Sequence, residues 1–140
     1  MRILALDIGQ KRIGLAISDE LGMFAHPLET LIFSGIEDLI ESLKKIITSK
    51  NITELVIGIP YTLKGTKSKK TEEVLQIKHE LIENLSIPIH EIDERLTTKM
   101  AEKTLQNLGK RPSKNRHIID QIAATQILQT YLDSKNKSIR

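Results

Sequence analysis

Four carboxylates stand where a carboxylate is costly unless it is paired or holds a cation. Asp7 closes an apolar run, Ile3 to Leu6, that reads as a central strand covered on both faces. Asp93 and Glu94 close a second strand pattern, Ile89-His-Glu-Ile92. Asp120 lies in a helical pattern. At about 100° per residue, Ala124, Ile127 and Tyr131 fall within about 40° of it, so it occupies the middle of the apolar stripe. Three acidic sites meeting on one sheet would make a divalent-metal site. Three or four carboxylates from separate elements can hold two Mg²⁺ or Mn²⁺ ions about 3.5–4 Å apart, which activate water and stabilise the leaving oxygen of a phosphodiester. Hard oxygen ligands, with no cysteine anywhere in the chain, favour Mg²⁺ or Mn²⁺ over Zn²⁺.

Each acid also has a plainer reading. Asp7 could form a turn with the backbone of Gly9 or Gln10. One of Asp93 and Glu94 could pair with Arg95. Asp120 needs an arginine, backbone donors or a metal, and Arg116 lies one helical turn before it. Neighbours in a strand point to opposite faces, so only one of Asp93 and Glu94 faces Asp7 unless the strand has already ended. The pattern leaves open which one.

The basic residues gather near these acids. The net charge is only +3, but residues 62–71 carry Lys64, Lys67, Lys69 and Lys70 with no acid. Residues 97–116 carry Lys99, Lys103, Lys110, Arg111, Lys114 and Arg116 against Glu102 alone. Basic segments around acidic strand ends suit a polyanionic substrate brought to a metal site. His26, His79, His90 and His117 are scattered without metal-ligand spacing, and the glycines form no dinucleotide or Walker pattern. The absence of cysteine also excludes disulfides and thiolate chemistry, and it fits the cytosol. The N-terminus has no signal-peptide pattern and no apolar run approaches a membrane span, so no membrane partner is expected.

The elements that must position these residues follow from periodicity. Residues 2–8 and Arg12–Ser18 form strands joined by the turn Gly9-Gln-Lys11. Leu28–Phe33 is a third strand after Pro27. A helix follows, with Ser34 and Glu37 at capping-box spacing and Ile36, Leu39, Ile40, Leu43 and Ile47 on one face. Leu55–Ile59 is a buried strand ended by Pro60, and Tyr61–Lys70 is a basic loop. Thr71–Leu85 is an amphipathic helix and Ile89–Asp93 the last strand. Thr97–Leu108 is helical and closed by Gly109, Lys110–Lys114 is a loop, and Asn115–Leu132 is the final helix before a polar tail, Ser134–Arg140, expected to fray. A hairpin followed by α/β crossovers predicts a single domain over 1–140 built on a mixed sheet with helices on its faces.

Four segments then resemble one known family. Leu6-Asp-Ile-Gly-Gln-Lys-Arg-Ile-Gly-Leu-Ala-Ile-Ser-Asp19 resembles an opening hairpin, and Val56-Ile-Gly-Ile-Pro60 with Gly65 a central strand and loop. Asp93-Glu-Arg-Leu-Thr-Thr98 resembles a DER segment. Ile119-Asp-Gln-Ile-Ala-Ala124 with Ile127-Leu128 and Tyr131-Leu132 resembles a last helix. Together they are similar to the YqgF/RuvX family, the Holliday-junction resolvase-like pre-16S rRNA nucleases. The resemblance implies an RNase H-like fold with a five-stranded mixed sheet, and a cytoplasmic bacterial nuclease maturing the 5′ end of 16S rRNA. It also implies catalytic acids at Asp7, Glu94 and Asp120, with Asp93 adjacent as a further metal ligand. Arg12, Lys64, Lys67, Lys69, Lys70, Arg95, Lys110, Arg111 and Lys114 are then expected on the nucleic acid, in a monomer or homodimer. The lysines after Gly65 depart from the family pattern by their density, which adds phosphate contact without sequence readout.

Three readings compete. In the first, water activated at Asp7 and Asp120, with Glu94 completing the site, cleaves structured RNA or branched DNA. In the second, the fold binds RNA as a non-catalytic ribosome-assembly factor. In the third, Asp7-Ile-Gly9 is the phosphate-binding turn of an actin-like or sugar-kinase ATPase. Those proteins close nucleotide between two such domains, and this chain has length for one.

Overall fold

In the computed structural model, residues 1–95 and 116–138 are described. The expected helix at Thr97–Leu108, its Gly109 stop and the loop Lys110–Lys114 lie outside them. The described order is β1 (Arg2–Ile8), β2 (Arg12–Ser18), β3 (Ala25–Ile32), α1 (Ile36–Lys50), β4 (Ile52–Ile59), α2 (Lys69–Asn84), β5 (Ile89–Asp93) and α3 (Arg116–Ser138). The strands form one sheet in the order β3-β2-β1-β4-β5. The β1–β2 and β2–β3 pairs are antiparallel, and the β1–β4 and β4–β5 pairs are parallel. This is the mixed five-stranded sheet expected from the hairpin and its crossovers.

The two faces of β1 sort the helices. Leu4, Leu6 and Ile8 point into a core with Leu39 and Leu43 of α1 and Val74 and Leu81 of α2. Ile3 and Ala5 point the other way and meet Ala124, Ile127, Leu128 and Leu132 of α3. The alternation places Asp7 on the α3 face. That face is lined by small residues, Ala5, Ala16, Gly14 and Gly58, which let α3 lie close. A Cβ at Gly14 would collide with the backbone carbonyl of Asp120, and one at Gly58 with Ile127 and the Glu94 carboxylate.

Several boundaries differ from expectation for identifiable reasons. β3 begins at Ala25 and runs through Pro27, which is tolerated because β3 is an edge strand and the register shifts opposite it, between Leu15 and Ala16. α1 is capped by Gly35 at φ 109° and has no side-chain cap. Ser34 falls one position early, and its hydroxyl donates instead to Asp38 at 2.8 Å. A single left-handed residue, Asn51, ends α1 and feeds β4, which therefore starts at Ile52 rather than Leu55. The capping box belongs to α2: Ser68 accepts from the Thr71 backbone at 3.2 Å, and Thr71 accepts from the Ser68 backbone at 3.0 Å. The helix consequently starts at Lys69, not Thr71. α3 continues to Ser138, past the tail expected to fray, because Lys135 pairs with Glu54 at 2.7 Å and Asn136 reaches the Gly22 carbonyl at 3.4 Å.

Candidate active site

The acids meet at the carboxyl end of the central strands. β1 ends at Asp7-Ile8 beside β4, which ends at Ile59, and Ile59 pairs with Asp93 of β5. The Glu94 backbone N–H donates to the Ile59 carbonyl at 3.1 Å, so pairing continues one residue past β5. This settles which neighbour faces inward. Glu94 is 5% exposed and lies against Gly58 on the α3 face. Asp93 faces solvent, where its carboxylate accepts from the Arg95 backbone at 3.0 Å and from the Arg95 guanidinium at 2.8 and 2.7 Å.

Asp7 and Glu94 share a hydrogen bond, which requires a proton between them. Burial raises the Asp7 carboxyl above its ordinary value. The bond to Glu94 counters that, the charge of Asp120 adds to it, and Lys70 counters again. Glu94 is pushed up to about 9, by burial first and then by the charge of Asp7 and the bond to it, with Lys70 opposing. Two carboxyl groups in this position cannot both ionise without help.

Asp120 reaches the same cleft from the first turns of α3. Its partner is Arg12 at the start of β2, whose Nε donates to Oδ2 at 3.1 Å. A compensating arginine thus comes from the sheet. Arg12, expected on nucleic acid, is engaged in this ion pair, with its side chain 28% exposed. The cleft has a volume of about 460 Å³ and is lined by Asp7, Gly9, Gln10, Lys11, Arg12, Lys70, Ile119 and Asp120.

A basic rim borders it. Lys64, Lys67, Lys69 and Lys70 are all exposed. Their loop is a built turn: Gly65 adopts φ 82° and donates to the Thr62 carbonyl at 2.8 Å, and the Thr62 and Thr66 hydroxyls are 2.6 Å apart. A Cβ on Gly65 would lie 3.2 Å from the Arg95 guanidinium, so the lysine loop and Arg95 adjoin. Lys110, Arg111 and Lys114 lie outside the described residues. His117 is exposed, and its backbone carbonyl accepts from the Thr30 hydroxyl at 3.2 Å.

The donor set fits a hard cation at the Asp7–Glu94 pair, where a cation would replace the shared proton and cancel the repulsion. Among the described residues no three acids converge as a ready ligand set, and Arg12 pairs with Asp120. The shaping roles of Gly14 and Gly58 were not anticipated. Their signal was a glycine inside a strand pattern, which marks a close approach.

A family profile, RuvX, described as Holliday junction resolvase, matches residues 1–134. A protein of Chloroflexus aurantiacus is 40% identical over 136 residues, covering 97% of this chain and 89% of that one. One of Clostridium kluyveri is 41% identical over 137 residues, covering 98% and 100%. Both carry the name "Putative pre-16S rRNA nuclease". Among solved structures, Thermus thermophilus RuvC in complex with a Holliday junction matches with TM-score 0.58 at 13% identity, covering 97% of this chain and 96% of that one. The fowlpox virus resolvase with its junction DNA matches with TM-score 0.58 at 15% identity, covering 96% and 99%. The structural matches bear on the fold, which is RNase H-like.

Proposed function

Because this chain belongs to the RuvX family, we propose that it is a metal-dependent endonuclease that trims the 5′ end of pre-16S rRNA in the cytoplasm. The observation that carries this reading is the Asp7–Glu94 carboxyl pair at the strand ends, of which Asp7 lines a cleft together with Asp120 and Lys70. The relatives named as pre-16S rRNA nucleases support the choice of RNA.

Asp7 and Glu94 would hold Mg²⁺ or Mn²⁺, with Asp120 available for a second ion once Arg12 turns to phosphate. The ion would supply the Lewis acid that activates water and stabilises the leaving oxygen. Lys64, Lys67, Lys69, Lys70 and Arg95 neutralise the backbone on either side of the cut, which positions a strand without reading its sequence. Lys70 lines the cleft itself and so meets the phosphate nearest the acids. Asp93 keeps Arg95 directed along the rim rather than into the site.

The decisive experiment is cleavage of a 5′-extended 16S rRNA precursor in Mg²⁺ or Mn²⁺, comparing wild type with Asp120→Asn. Metal-dependent cutting that the substitution removes is the expected result. One observation favours a second reading: the Arg12–Asp120 pair satisfies Asp120 without any metal. A non-catalytic RNA-binding assembly factor would keep its activity in EDTA and tolerate Asp120→Asn.

A further inference from the structure

A second cavity adjoins the acidic cleft and has a different chemistry. It has a volume of about 370 Å³ and is walled mainly by Ile8, Phe33, Val74 and Ile77. Gln10, Gln76, Glu73 and Lys70 supply polar groups at its margin. Three residues, Gly9, Gln10 and Lys70, line both spaces and form the partition between them. The reason is local to β1. Asp7 and Ile8 point to opposite faces of the sheet, so the acid opens the cleft toward α3 while Ile8 floors the apolar cavity toward α2. Phe33 is held at the mouth because its backbone N–H donates to the Lys11 carbonyl at 2.9 Å, which ties it to the β1–β2 turn.

We propose that this cavity receives one unpaired nucleobase of the strand being cut, next to the phosphate held at the acids. The inference rests on the nuclease reading and deepens it. Lys70 gives the charge complementarity, since a phosphate at Lys70 lies on the shared wall and its own base is one sugar away from the apolar side. The cavity offers what a base requires: an aromatic ring for one face, aliphatic walls, and side-chain amides able to meet a base edge. Its volume is at the low end for small-ligand sites, suited to one ring system and not to a duplex. The substrate is therefore a strand with an unpaired nucleotide beside the scissile phosphate. A fully paired helix must first extrude a base.

The test uses the full chain and a short oligouridylate carrying a single 2-aminopurine, with Ca²⁺ in place of Mg²⁺ and strand integrity checked on a gel. Gln76→Trp plugs the mouth from an exposed helix position, and Phe33→Ala removes the ring, with circular dichroism confirming that both fold. In wild type the bound 2-aminopurine is shielded from acrylamide. Each substitution should remove that shielding and weaken binding about tenfold while leaving the salt dependence of binding unchanged. An abasic site at the probe position should weaken wild-type binding about as much and the Gln76→Trp protein hardly at all. A bound base that stays open to acrylamide, with affinity indifferent to both substitutions, overturns the pocket and leaves the nuclease reading standing. A wild type that binds no RNA strand overturns both.

Discussion

Replacing Glu94 by Gln tests the electrostatics of the acid pair without touching its shape. Glu94 is 5% exposed and its carboxyl is pushed up to about 9, whereas an unfolded glutamate titrates near 4.5. Between those two values the folded protein keeps a proton that the unfolded chain has lost. The native state binds more protons, so stability falls as pH rises across this window, by about 1.4 kcal/mol per pH unit for one proton. The proton belongs to the Asp7–Glu94 pair, so it counts once. For 140 residues the unfolding entropy near the melting point is about 0.3 kcal/mol per kelvin. The expected slope is then about 5 °C of Tm lost per pH unit in chelator. From pH 5 to pH 8 the loss approaches 4 kcal/mol, a large share of the roughly 5–15 kcal/mol that holds a domain together.

Glu94→Gln removes the raised group while keeping a side chain that can donate a hydrogen bond to Asp7. Its Tm should therefore be nearly flat where the wild type falls, and at pH 8 it should be the more stable protein in chelator. Saturating Mn²⁺ should reverse that order, because it stabilises the wild type by replacing the proton and finds one ligand fewer in the variant. The assay is a thermal-unfolding series from pH 5 to pH 9, with and without Mn²⁺. Parallel curves for the two proteins in chelator would refute the shared-proton account, and with it the physical argument for a cation between Asp7 and Glu94.

Asp7→Asn should abolish cleavage of the extended rRNA precursor while RNA affinity, read by filter binding, stays within a few-fold. Gly14→Ala drives a methyl into the Asp120 carbonyl, and overpacking of this kind costs about 1–3 kcal/mol. Denaturant unfolding should show that loss, and cleavage should fall with it because α3 carries Asp120. Lys67→Gln with Lys69→Gln should lower RNA affinity uniformly across sequences and reduce the log–log salt slope by about two, one for each phosphate contact removed.

The fold was legible because its signals are local. Ile3–Leu6 and Leu55–Ile59 are continuous apolar runs, and the parallel β1–β4 pair at the sheet's centre buries both faces as such runs require. The errors were at ends, where one residue decides. Gly35 rather than Ser34 caps α1, and Ser68 opens a helix that periodicity alone began at Thr71. The edge position that makes Pro27 harmless exists only once the sheet is assembled.

The acids were legible for a different reason: burial of charge is visible as a conflict between residue type and periodicity, and Asp7 and Asp120 each present that conflict in sequence. What resolves the conflict was not visible. Asp120's compensating charge comes from Arg12, more than a hundred positions away, and helix spacing could offer only Arg116. Glu94 was separated from Asp93 by one backbone hydrogen bond to Ile59 that prolongs the strand pairing past β5. The two solutions differ in kind, and the difference has a chemical consequence. Asp120 is neutralised by a cation that a phosphate can draw away, because Arg12 lines the cleft that the strand would occupy. Asp7 and Glu94 share a proton held between them, with Lys70 as the nearby positive charge. A phosphodiester entering the cleft would compete for Arg12 and leave Asp120 in need of a new counter-charge. The same anion would raise the affinity of the site for divalent cations. Substrate and metal are therefore expected to bind with positive cooperativity, and Arg12 is the residue whose removal should lessen it.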